Sequence, residues 1–241
     1  MRLDRFLANA GLGTRTEVKA MIRKGQVKLD GEVCREPQTR LDEKQRSAVS
    51  LNDIPVRLKS RIHIMLHKPT SVITAMDDPR QPTIAELIPD RYQAARLFPV
   101  GRLDLDTTGL LLLTNDGTLG HRLTSPRWQV GKTYRITFAG PPFMSADIEH
   151  FQKGIRLADG TICRPAELEI QGENQVLLTI HEGKFHQVKR MILATGREVK
   201  TLHRQSIGPL VLDHQLPPGA CRELTAGEAD QLYDWVRLDR P

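Results

Sequence analysis

The chain has 241 residues, of which 39% are hydrophobic and 5% aromatic, and a formal net charge of +6. That is enough apolar material for a packed core, which excludes a wholly disordered chain, and too little aromatic material for a surface that reads single strands mainly by stacking. Residues 1–60 carry 13 Lys+Arg against 8 Asp+Glu, whereas residues 61–241 carry 22 against 21, so nearly all the excess charge sits in the first quarter and points to a polyanionic partner there.

In chain order, Leu3, Phe6 and Leu7 recur at helical spacing, with Gly11 as a stop. Thr14 and Glu17 fit a capping box that opens a second helix, with Val18, Met21 and Ile22 as its apolar stripe and Gly25 at the C′ place. Off that stripe lie Arg15, Lys19, Arg23 and Lys24. A lone basic helix is ordinarily a solvated face. Inside the one segment that holds the charge excess, the four cations are assigned to RNA phosphate. Val27 to Val33 alternates around Asp30-Gly31, which predicts a hairpin. Residues 50–61 (Ser50, Asn52, Asp53, Pro55, Lys59, Ser60 and Arg61 among them) are mostly polar and mark a boundary between domains at 1–59 and 60–241.

The second domain opens on the strand-like run Ile62 to His67. Further strand-like runs are Ala95–Val100, Leu110–Thr114, Tyr134–Phe138, Glu167–Ile170 and Val176–Ile180, and helix-like runs are Ser145–Lys153, His186–Ala194 and Ala226–Trp235. Strands separated by turns outnumber strand–helix alternations, so an α+β domain on a mixed, largely antiparallel sheet with flanking helices is predicted. Cys34, Cys163 and Cys221 are far apart with no CxxC pair, which argues against a disulfide framework or a zinc site and suits a reducing compartment. The first residues mix charged with apolar types, unlike a signal peptide, and the Leu110–Leu113 run is too short to span a bilayer. A cytoplasmic protein with no membrane contact, acting as a monomer, is expected.

The stretch with most chemical content is Gly101-Arg102-Leu103-Asp104-Leu105-Asp106-Thr107-Thr108-Gly109, followed by four leucines and Thr114-Asn115-Asp116-Gly117. A turn rich in Asp, Thr and Gly leads into a buried strand that ends at an expected Asn-Asp-Gly hairpin. Such a turn can hold a carboxylate at the end of a rigid strand. Spacing alone describes a capped turn without chemistry equally well. Asp106 and Asp116 could pass for a carboxylate pair, but Asp116 is read as structural. His63 and His67 are read as surface positions rather than metal ligands.

Two resemblances add to this. Residues 1–33 are similar to the S4 RNA-binding domain, a small helix–helix–hairpin module, over about the first 50 residues. The stretch from Gly101 to Gly117 resembles the signature of the Rsu-type pseudouridine synthases, GRLDxxTxGLLLLTNDG. Lys132-Thr133-Tyr134, the run from Glu182 to Met191, and Leu202-His203-Arg204 with Ile207-Gly208 resemble its further motifs. The Asp77-Asp78-Pro79 loop, Ser125-Pro126-Arg127 and the short C-terminus are most similar to the family member that modifies one uridine of 16S ribosomal RNA. Other members act on 23S rRNA or tRNA. A non-catalytic assembly factor with the same S4 module is the competing class.

The resemblance implies a reaction. The bond between ribose C1′ and uracil N1 breaks, the base turns, and it rejoins through C5. Nothing is oxidised and no atom is added, so no cofactor and no metal is expected, His186 notwithstanding. Asp104 is the implied catalytic carboxylate. A carboxylate in a pocket that receives a base is disfavoured as an anion unless a cation stands by, and the last motif supplies one. It is assigned by position to Lys189, with Arg190, otherwise a contact to RNA, as the alternative; the two point about 100° apart on a helix. Tyr134 is the implied pocket aromatic, although an ordinary half-buried strand tyrosine is common. Arg102 is placed to fill the gap left by an extruded uridine; its plainer role is a salt bridge to Asp106. Arg127 contacts RNA backbone or sits in a plain surface turn. The expected partner is 16S rRNA, either free or within an assembling small subunit.

Overall fold

The computed structural model describes residues 1–10, 12–56 and 61–240. The chain divides into two compact units, Met1–Ser60 and Arg61–Pro241.

The first unit comprises α1 (Leu3–Asn9), α2 (Arg15–Arg23), β1 (Val27–Leu29), β2 (Glu32–Val33), α3 (Glu43–Ser47), β3 (Val49–Leu51) and β4 (Ile54–Pro55). Leu3, Phe6 and Leu7 of α1 pack with Val18 and Ile22 of α2 over Val27 and Val49. The capping box forms: Thr14 Oγ1 accepts from Glu17 N at 3.3 Å, and Glu17 Oε2 accepts from Thr14 N at 2.6 Å. The β1–β2 hairpin turns at Asp30 and Gly31, both at positive φ, as a type I′ turn requires. The expected stop at Gly11 lies outside the described residues, as do Lys59 and Ser60.

Most of the polar stretch expected as a boundary is instead the β3–β4 hairpin, which turns at Asn52 and Asp53 and extends the sheet in the order β2-β1-β3-β4. Asn and Asp favour tight turns because their side chains tolerate positive φ. Polar composition alone does not separate a turn from a linker.

The second unit comprises β5 (His63–Lys68), β6 (Phe98–Pro99), β7 (Thr108–Thr114), α4 (Gly117–Thr124), β8 (Lys132–Ala139), α5 (Ser145–Lys153), β9 (Glu167–Gly172), β10 (Gln175–Ile180), α6 (Gln187–Ala194), β11 (Glu198–Ile207), β12 (Leu210–Val211), β13 (Cys221–Glu223) and α7 (Ala226–Trp235). Among the described residues the sheet runs β13-β5-β7-β11-β8-β10-β9, with β6 on β7 and β12 on β11. Every pairing is antiparallel except β7 with β11. The α+β fold on a mixed, largely antiparallel sheet is therefore present.

The leucine run is apolar throughout because its strand is covered on both faces. Leu111 and Leu113 join the core under α5 and α6, and Leu110 and Leu112 join a second core under α4 and α7.

Three expectations change. Asn115-Asp116-Gly117 is no hairpin: Asp116 caps α4, its carboxylate accepting from Thr118 N at 2.9 Å and Leu119 N at 3.1 Å. An Asn-Asp-Gly string serves a hairpin turn or a helix start equally well. Ala95–Val100 is not a continuous strand; it holds the end of a 3₁₀ turn, a left-handed Arg96 and the short β6. His63 is buried, with Nδ1 2.8 Å from Thr114 Oγ1 and Nε2 3.2 Å from Tyr233 Oη.

Candidate active site

A pocket of about 500 Å³ opens on the second unit. Asp104, Arg102, Tyr134, Lys132, His186, Lys189 and Arg204 are among its lining residues. Its geometry starts at the parallel junction of β7 and β11, where Gly109 lies opposite Arg204. A Cβ at Gly109 would stand 2.3 Å from the Arg204 carbonyl oxygen, and φ is +108°, so only glycine fits. This close approach sets the turn that precedes β7 against β11.

The turn itself is tied down. Lys68, wholly buried at the end of β5, donates to the carbonyls of Pro69, Asp104 and Thr107, each at 3.0 Å, and to that of Leu105 at 3.4 Å. Thr74 Oγ1 donates to Leu103 O at 2.8 Å and lies 3.1 Å from Leu103 N, and Ser71 N donates to Leu105 O. Asp104 therefore projects from a backbone whose carbonyls converge on one ammonium. Burial pushes that ammonium down to about 8, against the attraction of Asp106 and Asp104. Sequence reasoning stopped the strand at His67 and missed Lys68. The available signal was a lysine closing an otherwise apolar strand, a position that needs a dedicated set of acceptors.

Lys189, on the first turns of α6, places Nζ 3.2 Å from Asp104 Oδ2 and 2.5 Å from Asp106 Oδ1. Burial works against its charge, and the two carboxylates outweigh this and raise the lysine above its ordinary value. Hydrogen bonding from Lys189 in turn holds Asp106 below the usual carboxylate range. Arg190 turns the other way and pairs with Asp159. The neighbours split as helical geometry requires, and Lys189 is the one that meets Asp104. Val188, Met191 and Ile192 form the buried side of the same helix.

Tyr134 is buried on β8 and lines the pocket. Arg102 is exposed at the pocket wall, while Asp106 goes to Lys189 instead. His186 enters α6 at a left-handed φ of 46°, stacks on the exposed Phe185 at 3.8 Å, and brings Nε2 to 3.6 Å from Asp104. Glu182, buried, accepts from Arg164 N and Gln187 Nε2 and so fixes the loop that leads into α6.

Arg127 lies on an exposed turn outside this pocket. In the first unit, Arg15 and Arg23 are exposed and Lys19 is half-buried on α2, and Lys24, exposed, caps its C-terminus. Among the described residues no cluster of three or more His, Cys, Asp or Glu could hold a metal, and no helix is long and apolar enough to cross a membrane.

A carboxylate on a turn pinned by its own backbone carbonyls, paired with a lysine, shares with a tyrosine a pocket large enough for a nucleoside, an arrangement suited to chemistry on a nucleoside. The comparisons give it a family. The RNA pseudouridylate synthase model matches residues 62–194, and the S4 domain model matches residues 1–47. An uncharacterised RNA pseudouridine synthase of Bacillus subtilis is 42% identical over 97% of this chain and 99% of its own length. The ribosomal small subunit pseudouridine synthase A of Vibrio cholerae is 42% identical over 97% and 100%. A crystal structure of a pseudouridylate synthase superposes with a TM-score of 0.69 at 38% identity, covering 96% of this chain and 99% of that one. The chain belongs to the RNA pseudouridine synthase family, isomerases that convert uridine to pseudouridine.

Proposed function

We propose that this protein isomerises a uridine of small-subunit ribosomal RNA, with Asp104 as the catalytic carboxylate. One observation carries the reading: Asp104 sits 3.2 Å from the Lys189 ammonium, on a turn held by Lys68, at the wall of the pocket. The lysine's charge offsets the desolvation of the carboxylate as a base enters and water leaves. Addition of that carboxylate to C1′ and passage through a glycal both begin with uracil leaving as an anion. Tyr134 offers a ring to stack on the base and a hydroxyl near the C5 proton that must go at the end. Arg102, exposed beside Asp104 in sequence, fills the stack that the extruded nucleotide vacates.

The choice of small-subunit RNA rests on likeness to relatives named for that subunit. In the first unit, Arg15, Lys19, Arg23 and Lys24 are assigned to RNA phosphates, and Arg127 and Arg190 to backbone near the pocket. The enzyme acts in the cytoplasm as a monomer, on 16S rRNA either free or within an assembling small subunit. The test is to incubate it with 16S and 23S transcripts, with and without ribosomal proteins, and to map pseudouridine by carbodiimide-blocked reverse transcription. One new stop in 16S RNA is expected. A stop confined to 23S RNA would overturn the substrate, and none in either would overturn the activity.

A further inference from the structure

The pocket holds charge that the carboxylate–lysine pair leaves unexplained. Arg204 is 2% exposed, and its Nε donates to Leu110 O at 2.8 Å. Its Nη2 is buried with no partner among the described residues. Among those residues no carboxylate pairs with this guanidinium. Register puts it on the pocket side: Arg204 lies opposite Tyr134 across β11 and β8, and cross-strand partners share a face. Leu202, two residues earlier on the same face, also lines the pocket.

Lys132 repeats the pattern from β8. It lines the pocket, its one hydrogen bond goes to Val130 O, and burial together with Arg204 lowers it to about 8. Thr107, on the Asp104 turn, adds a buried hydroxyl that also has no partner among the described residues.

A buried, uncompensated guanidinium is costly, and its unpaired N–H adds the cost of an unmade hydrogen bond. Such an arrangement is matched to an anion that arrives or develops in place. The reaction proposed above generates one. When the C1′–N1 bond breaks, its electron pair goes to uracil, and the charge spreads from N1 onto the carbonyl oxygens. We propose that Arg204, with Lys132 near it on β8, forms the anion-stabilising floor of this pocket, the buried charge of its guanidinium acting on the departing uracil. This rests on the uridine-isomerising reading. It assigns to β11 the leaving-group half of a reaction whose carboxylate half sits on the turn before β7. The base then recombines through C5, and the C5 proton is lost, so the floor is used and restored in each turnover.

A leaving-group comparison tests this. The full-length protein, wild type, Arg204→Gln and Arg204→Lys, is given transcripts containing uridine or 5-fluorouridine, and single-turnover formation of the carbon-linked product is followed chromatographically after nuclease digestion. Fluorine makes uracil a more stable anion, which needs less help from the protein. Arg204→Gln should slow the uridine reaction about 100-fold, as loss of one preorganised electrostatic group does, and the 5-fluorouridine reaction distinctly less. Arg204→Lys, which keeps the cation, should fall between. RNA affinity and its salt slope should not move. Equal slowing on both bases, or wild-type rates for Arg204→Gln, would overturn the proposal. So would a lost phosphate contact, seen as a salt slope reduced by about 0.7–0.9 with rates intact. If Arg204→Gln melts early, Arg204→Lys gives the same two-base comparison. Wild-type protein that converts no uridine in any transcript would instead sink the activity on which the proposal stands.

Discussion

The two ends of β7 carry carboxylates with opposite fates. Asp104, just before the strand, is half-exposed at the pocket wall, stands on a turn pinned by Lys68, and has the Lys189 ammonium 3.2 Å away. Asp116, just after it, is buried and fully used. It caps α4, pairs with Arg61 at 2.6 Å, and accepts from Tyr233 Oη at 2.8 Å. Both are aspartates at the end of one apolar strand. What separates them is whether the surrounding groups consume the carboxylate's acceptor sites or leave one for a substrate. Rigidity is common to both, so rigidity alone does not make a catalytic group.

The comparison can be broken. Asp104→Asn should abolish isomerisation, a loss of about 10⁴-fold or more, while RNA affinity and melting temperature hold. Pseudouridine mapping, anisotropy and calorimetry on one preparation would check this; residual turnover near wild type removes Asp104 from the chemistry. Lys189→Met should lower the neutral-pH rate by about 100-fold. Arg190→Met should leave the rate at saturating RNA close to wild type. If Arg190→Met costs as much as Lys189→Met, the pairing with Asp104 is misassigned.

At the other end, Asp116→Ala should cost roughly 2–4 kcal/mol of stability, from a lost cap and a broken partly buried pair, and leave the turnover of folded enzyme unchanged. Urea unfolding set beside single-turnover kinetics decides it. A large loss of turnover without loss of stability would erase the contrast between the two ends.

Replacing Arg15, Lys19, Arg23 and Lys24 with glutamine should flatten the salt dependence of RNA binding without touching the chemical step. Each lost phosphate contact is worth about 0.7–0.9 of slope. An unchanged slope would return these cations to a solvated face.

The smallest effect concerns Lys68 and Lys132, both held at about 8 in the fold against an ordinary 10.5. Between those values the unfolded chain binds protons that the folded chain has shed. Their contribution to stability therefore rises as pH climbs through that window. Lys68→Met should shrink the rise, read from denaturation midpoints at pH 8 and 10; an unchanged rise would mean Lys68 shares no part of it.

Much of this was legible in the order of residues. The capping box at Thr14, the Asp30-Gly31 turn and the double-sided burial of the leucine run depend on neighbours within a few positions, and local chemistry fixes them. Asp104, Tyr134 and the pair Lys189 and Arg190 were legible through motif likeness, and helical periodicity said that only one of that pair would face the carboxylate. It could not say which, because the direction of a helix face is set by the core beneath it. Three other matters belong to the tertiary structure alone. The turn chemistry at Asp116 became a helix cap because Arg61 and Tyr233, 55 and 117 residues away, close over it. Lys68 became the clasp of the Asp104 turn because β5 lies beside β7, which brings four carbonyls to one ammonium. Arg204 came to line the pocket with no carboxylate partner among the described residues because the parallel meeting of β7 and β11 carries it opposite Gly109, the residue that lets the two backbones approach so closely.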